Sequence, residues 1–397
     1  MRPSPLPTIL VSALVAAGSF GERPASACAI MPASLSDPPS MATERVLIVY
    51  DQPREFEHFI REVRFQRVKA RFAFLVPTPS RPEIAKVEEE PFDLLADIYP
   101  FTPPPEPESP GLFDGESKAV AAAPPRGVEV LEVKRIGSFT AFVLAATDGQ
   151  ALDQWLKDND ISRPGNAVPW LQHFVDLKFY FTAFRYEPPS ADGGNTNTMT
   201  SETVRLSFKS PAAYYPYLEP ARGAVEAPAR DLRVWTISQT KLLPVAHRAV
   251  PGRPVRWGSA WTAGHTYDVE QASLAGQFPG LKTLLPGADS HLQIQTFEDN
   301  KSSRDGWGDV VLAREGQDPD DPTWRTHTAA LTGTAPLHTD PRETDDAQTA
   351  DALRVAYSGR GCACEAGAQG SGPGGPFALL AAALFALARR RPQRASR

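Results

Sequence analysis

Two cysteines one residue apart, Cys362 and Cys364, stand in the stretch Gly361-Cys362-Ala363-Cys364-Glu365. A thiolate is the best nucleophile in this region and can be acylated or exchanged, so the pair is the candidate site of processing or attachment. The spacing excludes other chemistries. Cys-Ala-Cys-Glu is not the Cys-x-x-Cys-His of haem attachment. A Cys-x-Cys without a second pair is a poor zinc half-site. The third and last cysteine, Cys28, follows Ala25-Ser26-Ala27. That small-x-small pattern places signal-peptidase cleavage between Ala27 and Cys28. A cysteine at the first mature position raises a lipoprotein reading. Against it, Gly21-Glu22-Arg23-Pro24 separates Cys28 from the apolar run, and Ala25 replaces the larger aliphatic residue usual there.

The seven histidines are His58, His173, His247, His265, His291, His327 and His338. None forms His-x-x-x-His or His-Glu-x-x-His, so no metal ligand is assigned. His58 alternates with polar residues and reads as a solvated strand position. No Gly-x-Ser-x-Gly elbow and no Gly-x-x-x-x-Gly-Lys-Ser/Thr loop is present. The segment Asp299 to Asp309 is acidic and contains glycine, but its spacing differs from an EF-hand, and a hairpin turn is the default. Glu88-Glu89-Glu90 reads as a solvated helix start. Trp235, Trp257, Trp261, Trp307 and Trp324 could line a sugar-binding face, with core packing as the default. The residues therefore assign no catalytic group, no metal and no cofactor.

The elements that would carry these residues are mostly strands. Proline reaches 40 of 397 residues, a density that interrupts helices and suits strands joined by stiff loops. Val46 to Tyr50 predicts a strand, and Asp51 to Glu55 a turn into an amphipathic strand over Glu57 to Arg67. Phe72 to Val76 predicts a buried strand stopped by Pro77-Thr78-Pro79. Phe92, Leu95, Ala96 and Tyr99 fall at helical spacing behind Pro91. Val128 to Arg135 and Phe139 to Ala146 repeat the pair of strands, and Asp148 caps a helix to about Asn159. A short helix over Pro169 to Val175 and strands over Leu177 to Tyr186, Thr203 to Phe208, Leu232 to Ile237 and Leu292 to Phe297 follow. The repeated order strand, strand, helix suggests two related half-sheets. Residues 102–127, rich in Pro, Glu, Ala and Gly, predict a mobile insertion. After Ala313 the chain turns polar and reads as a stalk.

The expected organisation is a signal peptide at 1–27, a strand-rich α+β body at 28–312, a polar stalk at 313–361 and a tail at 362–397. The body would be a mixed sheet with a few short helices, flanked by an N-terminal signal helix and a C-terminal apolar helix. With Cys28 at its very start and no second cysteine within it, the body relies on its core rather than on a disulfide framework. A formal net charge of −6 without a basic stripe argues against nucleic acid as a partner.

The tail has three parts: the cysteine motif, a Gly/Ser/Pro spacer with the apolar run Phe377 to Ala388, and the basic end Arg389 to Arg394. As a helix the run would span roughly 20 Å, short for a hydrocarbon core of about 30 Å but sufficient for a segment held briefly and cut. The arginines stay on the cytoplasmic side, so the body lies across the membrane. This pattern resembles the MYXO-CTERM sorting tail of myxobacteria. The resemblance implies a membrane-embedded sorting protease as partner and a mature protein held on the outer envelope or cell surface. The alternative is a short permanent anchor.

A second resemblance covers roughly Cys28 to Phe297. The early strands, Val76-Pro77-Thr78-Pro79-Ser80-Arg81-Pro82, the helix opening Pro91-Phe92-Asp93-Leu94-Leu95, and Val204 to Ser210 followed by Tyr215-Pro216 resemble the domain-of-unknown-function family numbered 2330, an exported bacterial family. That resemblance brings no activity and no catalytic residues. Two functions are expected: a non-catalytic surface or envelope protein with a binding, adhesive or structural role, or an exported hydrolase whose His, Asp and Glu residues converge only in the fold.

Overall fold

Val46-Leu47-Ile48-Val49-Tyr50 is buried on both faces, because each face meets a different core. The computed structural model describes residues 30–32, 39–68, 71–101, 127–159, 161, 167–186, 198–220, 231–248, 256–259, 261–287, 291–300, 304 and 307–333. The expected signal peptide, Ala27 and Cys28, the insertion over 102–126, Cys362 and Cys364, and the apolar run lie outside the described residues. Among the described residues no helix is long and apolar enough to cross a membrane.

In chain order the first elements are β1 (Ile30–Pro32), β2 (Ser40–Asp51), β3 (Phe56–Gln66), β4 (Phe72–Thr78), β5 (Glu83–Lys86) and α1 (Phe92–Ile98). Next come β6 (Val128–Ile136), β7 (Phe139–Ala146), α2 (Gly149–Asp158), α3 (Val168–Asp176), β8 (Tyr180–Tyr186) and β9 (Thr198–Thr200). Then follow β10 (Val204–Lys209), β11 (Ala213–Tyr215), β12 (Asp231–Ser238), β13 (Leu242–Arg248), β14 (Arg256–Gly258) and β15 (Thr262–Glu270). The last are α4 (Gln271–Gln277), β16 (His291–Asp299), β17 (Val310–Arg314) and α5 (Pro322–Thr332).

The strands form a large sheet ordered β15-β16-β12-β2-β3-β10-β5, with β9 also on β3. A second sheet is ordered β1-β4-β8-β7-β6, and a small one β11-β17-β13-β14. Neighbours are antiparallel except β12 and β2, which run parallel with Val46 beside Val234. The large sheet is therefore mixed, the other two are antiparallel, and the fold is strand-rich α+β.

Period-two alternation sorts the side chains into three cores. In β2, Val46, Ile48 and Tyr50 face a central core shared with the second sheet, while Leu47 and Val49 face α1 and α4. In β4, Phe72, Phe74 and Val76 face the same central core, while Ala73 and Leu75 face α2, α3 and α5. The result is two packed sheets with helices against both outer faces. The helix spacings read from sequence explain the docking. Trp235 on β12 donates its indole N–H to the Tyr99 carbonyl at 3.0 Å, fixing the end of α1. Asp148 accepts from the Ala151 N–H at 2.7 Å and starts α2. Gly149 lets α2 and α3 approach, since a Cβ there would meet the Gln172 nitrogen at 2.9 Å.

Charges also sit in the central core. Arg61 and Glu44 are paired at 2.8 Å with about 1% of either side chain exposed, and the Arg61 guanidinium lies over the Phe74 ring. Arg304 pairs with Asp299 at 3.1 Å and Glu219 at 3.7 Å and covers the Tyr217 ring. The segment Ala213 to Glu219 is held by carboxylates from other elements. Glu57 of β3 accepts from the Tyr214 N–H at 2.8 Å. Asp309, just before β17, accepts from the Leu218 N–H at 2.8 Å. Asp299 accepts from the Tyr217 hydroxyl at 2.5 Å. Burial pushes the Glu57 carboxyl well above the usual range and raises Asp309 to about 7, against the lowering effect of these backbone donors.

Several readings need correction. The polar stalk expected from 313 begins instead with the end of β17 and with α5, where Trp324, Thr328, Leu331 and Thr332 are buried. Composition hid this helix because its inward stripe is narrow. The Thr328 and Thr332 hydroxyls bond back to the Trp324 and Thr328 carbonyls, which removes their polarity from the contact. The strand expected from Leu177 starts only at Tyr180, since Leu177 and Lys178 close α3, with Lys178 at φ 61°. Asp299 to Asp309 is no hairpin turn: it crosses from the large sheet to the small one, and both aspartates turn inward. The two strand–strand–helix units fall in different sheets, β2 and β3 in the large one, β6 and β7 in the second.

Two measurements probe this core. Arg61→Ala should lose about 3–5 kcal/mol in chemical denaturation, because it strands a buried carboxylate, whereas Arg61→Met with Glu44→Leu should recover most of that loss. Equal losses would contradict the pairing. Asp309 carries a raised value in the folded state, so its contribution is present below the ordinary aspartate range and is lost as pH rises through about 7. Asp309→Asn should therefore shrink the fall in melting temperature between acid pH and pH 8. An unchanged pH profile would contradict the assignment.

Candidate functional site

Three connections meet at one end of the two packed sheets: the β2–β3 turn, the β12–β13 turn and the β17–α5 link. Side chains tie them together. The Gln52 N–H donates to the Gln239 side-chain oxygen at 3.3 Å, and the Thr240 hydroxyl to the Gln52 side-chain oxygen at 3.4 Å. Gln239 donates to Asp51 at 3.3 Å. The Glu315 N–H reaches the Lys241 carbonyl at 2.7 Å. These residues form a wall with a cleft on either side.

The first cleft holds about 210 Å³. Its floor is apolar, with Pro211, Ala212, Leu242, Leu312 and Trp324, and its rim carries Gln52, Glu55, Arg314, Gln317, Asp321 and His327. Glu55 occupies the left-handed region at φ 50°, its N–H bonded to the Gln52 carbonyl, a conformation a non-glycine residue adopts at a cost. Arg314 is steadied by the Gln317 side-chain oxygen at 2.9 Å. The N–H groups of Thr323 and Trp324 at the start of α5 hold the Asp321 carboxylate below its usual range. Burial, helped by the charges of Glu57, Glu55 and Asp51, pushes the Tyr50 phenol up.

The second cleft is wider and shallower, about 510 Å³, lined by Gln239, Thr240, Lys241, Thr266, Asp268, Gln293 and Glu315. Its floor is the β15–β16 pair. Asp268 accepts from Gln293 at 2.8 Å and bonds the His291 ring at 2.7 Å. Those two bonds lower its carboxyl.

Of the described histidines, His173 and His247 come close enough to interact, while His58, His265, His291 and His327 stand apart from them. His291 is exposed beside the second cleft and His327 lines the first. His265 is exposed on β15, its N–H on the Thr296 hydroxyl at 2.8 Å. His58 corrects the solvated reading: it is half-buried on the large sheet, bonded to the Ser207 hydroxyl at 2.8 Å, and burial lowers it to about 4. His247 is also lowered to about 4, by burial and then by His173, which is itself lowered by burial. The His247 ring lies so close to Gly308 that a Cβ there would meet it at 1.8 Å. His338 lies outside the described residues. Among the described residues no group of three or more His, Cys, Asp and Glu could hold a metal ion. The tryptophans went to the core: Trp235, Trp257, Trp261 and Trp324 are buried, and Trp307 packs partly against it. Sequence reasoning missed both clefts because their polar residues come from turns far apart in the chain, with no shared spacing.

No curated protein matches the sequence. The crystal structure of baculovirus P35 aligns at 9% identity and a TM-score of 0.30, over 72% of this chain and 94% of that one, a likeness that carries no argument. A family described as an uncharacterized protein conserved in bacteria (DUF2330) matches residues 23–383. That match takes in the strand-rich body and both clefts, and the chain belongs to this family.

Proposed function

We propose that this is an exported protein, held at the outer envelope or cell surface through its C-terminal tail, whose body acts by binding rather than by catalysis. The observation that carries the binding reading is the loop end, where hydrogen-bonding groups from three separate connections line two adjoining clefts. The first cleft sets polar groups around an apolar floor, and the second is lined by amides, hydroxyls and charged groups, so each offers placed groups that can orient a ligand. The hydrolase alternative asks for a histidine and an acid within hydrogen-bond reach in a cleft; the pair at the second cleft, His291 and Asp268 at 2.7 Å, is exposed on both sides and lacks the exclusion of water that favours catalysis. Export is supported by the small-x-small site before Cys28. Retention is supported by the order cysteine motif, spacer, apolar run and arginines. In this reading a membrane-embedded protease acts on the tail while Phe377 to Ala388 is stalled in the bilayer. Cys362 or Cys364 is then the point of processing or attachment.

Deleting residues 377–397 should release the protein into the medium. Replacing Cys362 and Cys364 with Ala should leave an unprocessed, membrane-held form of larger mass. Mass spectrometry of the mature C-terminus decides: the sorting account expects Arg397 to be gone from surface-displayed protein, and finding it there would show a simple anchor instead. Separately, a thermal-shift screen of mixed small ligands on the mature protein should find stabilisers whose effect is reduced by Arg314→Ala. Stabilisers indifferent to that change and to changes in the second cleft would remove the loop end as the binding surface.

A further inference from the structure

The wider cleft has a definite hydrogen-bonding character. Its floor presents Thr266, Asp268 and Gln293 side by side on two paired strands, because Asp268 and Gln293 face each other in register. Its wall presents Gln239, Thr240 and Lys241 from the β12–β13 turn. These groups are held before any ligand arrives. Gln293 gives its amide N–H to Asp268 at 2.8 Å, which sets the orientation of its side chain. The Thr240 hydroxyl is held by the Gln52 side-chain oxygen at 3.4 Å, and the Gln239 side chain by the Gln52 N–H and Asp51, both at 3.3 Å. Asp268 is fixed from two sides, by Gln293 and His291, so its carboxylate is aligned rather than swinging.

Planar amides and carboxylates present pairs of polar atoms at the spacing of vicinal hydroxyls, and fixing them in advance lowers the entropic cost of binding. No lining residue of this cleft is a large apolar side chain, so a greasy ligand has nothing to bury against. Two carboxylates, Asp268 and Glu315, stand against one ammonium, Lys241, which disfavours a polyanion. The cleft is open to solvent rather than enclosed, so its walls do not limit a ligand to one small molecule.

We propose that this cleft binds a neutral or amino-substituted glycan chain, laid along β15 and β16 and hydrogen-bonded by Gln293, Asp268, Thr266 and the Gln239–Lys241 turn. This inference rests on reading the loop end as a binding surface and names the ligand class for it. Lys241 contributes a donor that can reach ring or hydroxyl oxygens, and Asp268 accepts from hydroxyl or ammonium groups.

The test uses the full mature protein on an array of neutral, amino-substituted and polyanionic oligosaccharides, with an arm of unstructured peptides. Titration calorimetry then follows with the strongest glycan. Gln293→Ala and Lys241→Ala should each weaken binding about tenfold, the loss expected of one or two hydrogen bonds. Leu94→Ser, an exposed position on α1, should leave it unchanged, with circular dichroism confirming that every variant folds. Failure of the folded protein to bind any neutral or amino-substituted glycan would overturn the proposal, as would glycan binding indifferent to both cleft variants. Binding confined to peptides and weakened by the same variants would also overturn the glycan, while preserving the loop end as the binding surface.

Discussion

The backbone N–H groups of Tyr214 and Leu218 are taken up in the core by carboxyl groups from elsewhere in the fold, Glu57 and Asp309. A buried N–H without an acceptor costs about as much as a lost hydrogen bond, and a buried carboxylate without a donor costs more. Each group therefore needs the other. Because Glu57 sits on the large sheet and Asp309 next to the small one, the segment Ala213 to Glu219 ties sheets that share no continuous ladder. Gln295 makes a similar tie: its side-chain amide accepts from the Leu242 N–H at 2.6 Å and donates to the Leu242 carbonyl at 3.0 Å. The Trp170 indole adds a helix to the same segment through the Leu218 carbonyl at 2.9 Å. Arg304, over the Tyr217 ring, supplies the positive charge that Asp299 and Glu219 require.

These ties decide where the clefts can form. With β13 held to β16 through Gln295, and Ser210 held by the Glu55 carbonyl at 2.9 Å, the turns at one end of the two sheets cannot drift apart. The Gln52, Gln239 and Thr240 contacts then complete a wall whose position follows from the core beneath it. The first cleft inherits its apolar floor from β13 and β17, while the second inherits a polar floor because Asp268 and Gln293 lie beyond the reach of the central core. A rigid frame with polar turns at its end is a sound arrangement for recognition, since the fixed geometry lowers the ordering cost of a ligand.

Local patterns were legible wherever a segment was decided by its own residues. The turn Asp51 to Glu55, the Asp148 cap, and the inward spacing of Leu152, Trp155 and Leu156 all reappear in the structure. The run Val46 to Tyr50 predicted a strand, and the structure buries it on both faces. What could not be read was set by distant partners. β13, β15 and β17 have weak local signals, because Pro244 interrupts one, Gly264 bulges another, and the third is short. α5 was concealed by its threonines. His58 looked solvated by alternation, yet Ser207, from a strand 149 residues away, takes up its ring nitrogen. The clefts were illegible for the same reason, since glutamines and threonines in separate turns carry no spacing that marks them as neighbours.

Native-state hydrogen exchange tests the tie most directly. If the carboxylates lock Ala213 to Glu219 between the sheets, the Tyr214 and Leu218 amides should exchange only through global opening. Their rates should then match those of Leu47 at the centre of the large sheet. If instead they exchange as fast as amides on the exposed edge strand β15 while Leu47 stays protected, the segment opens independently and does not hold the sheets together.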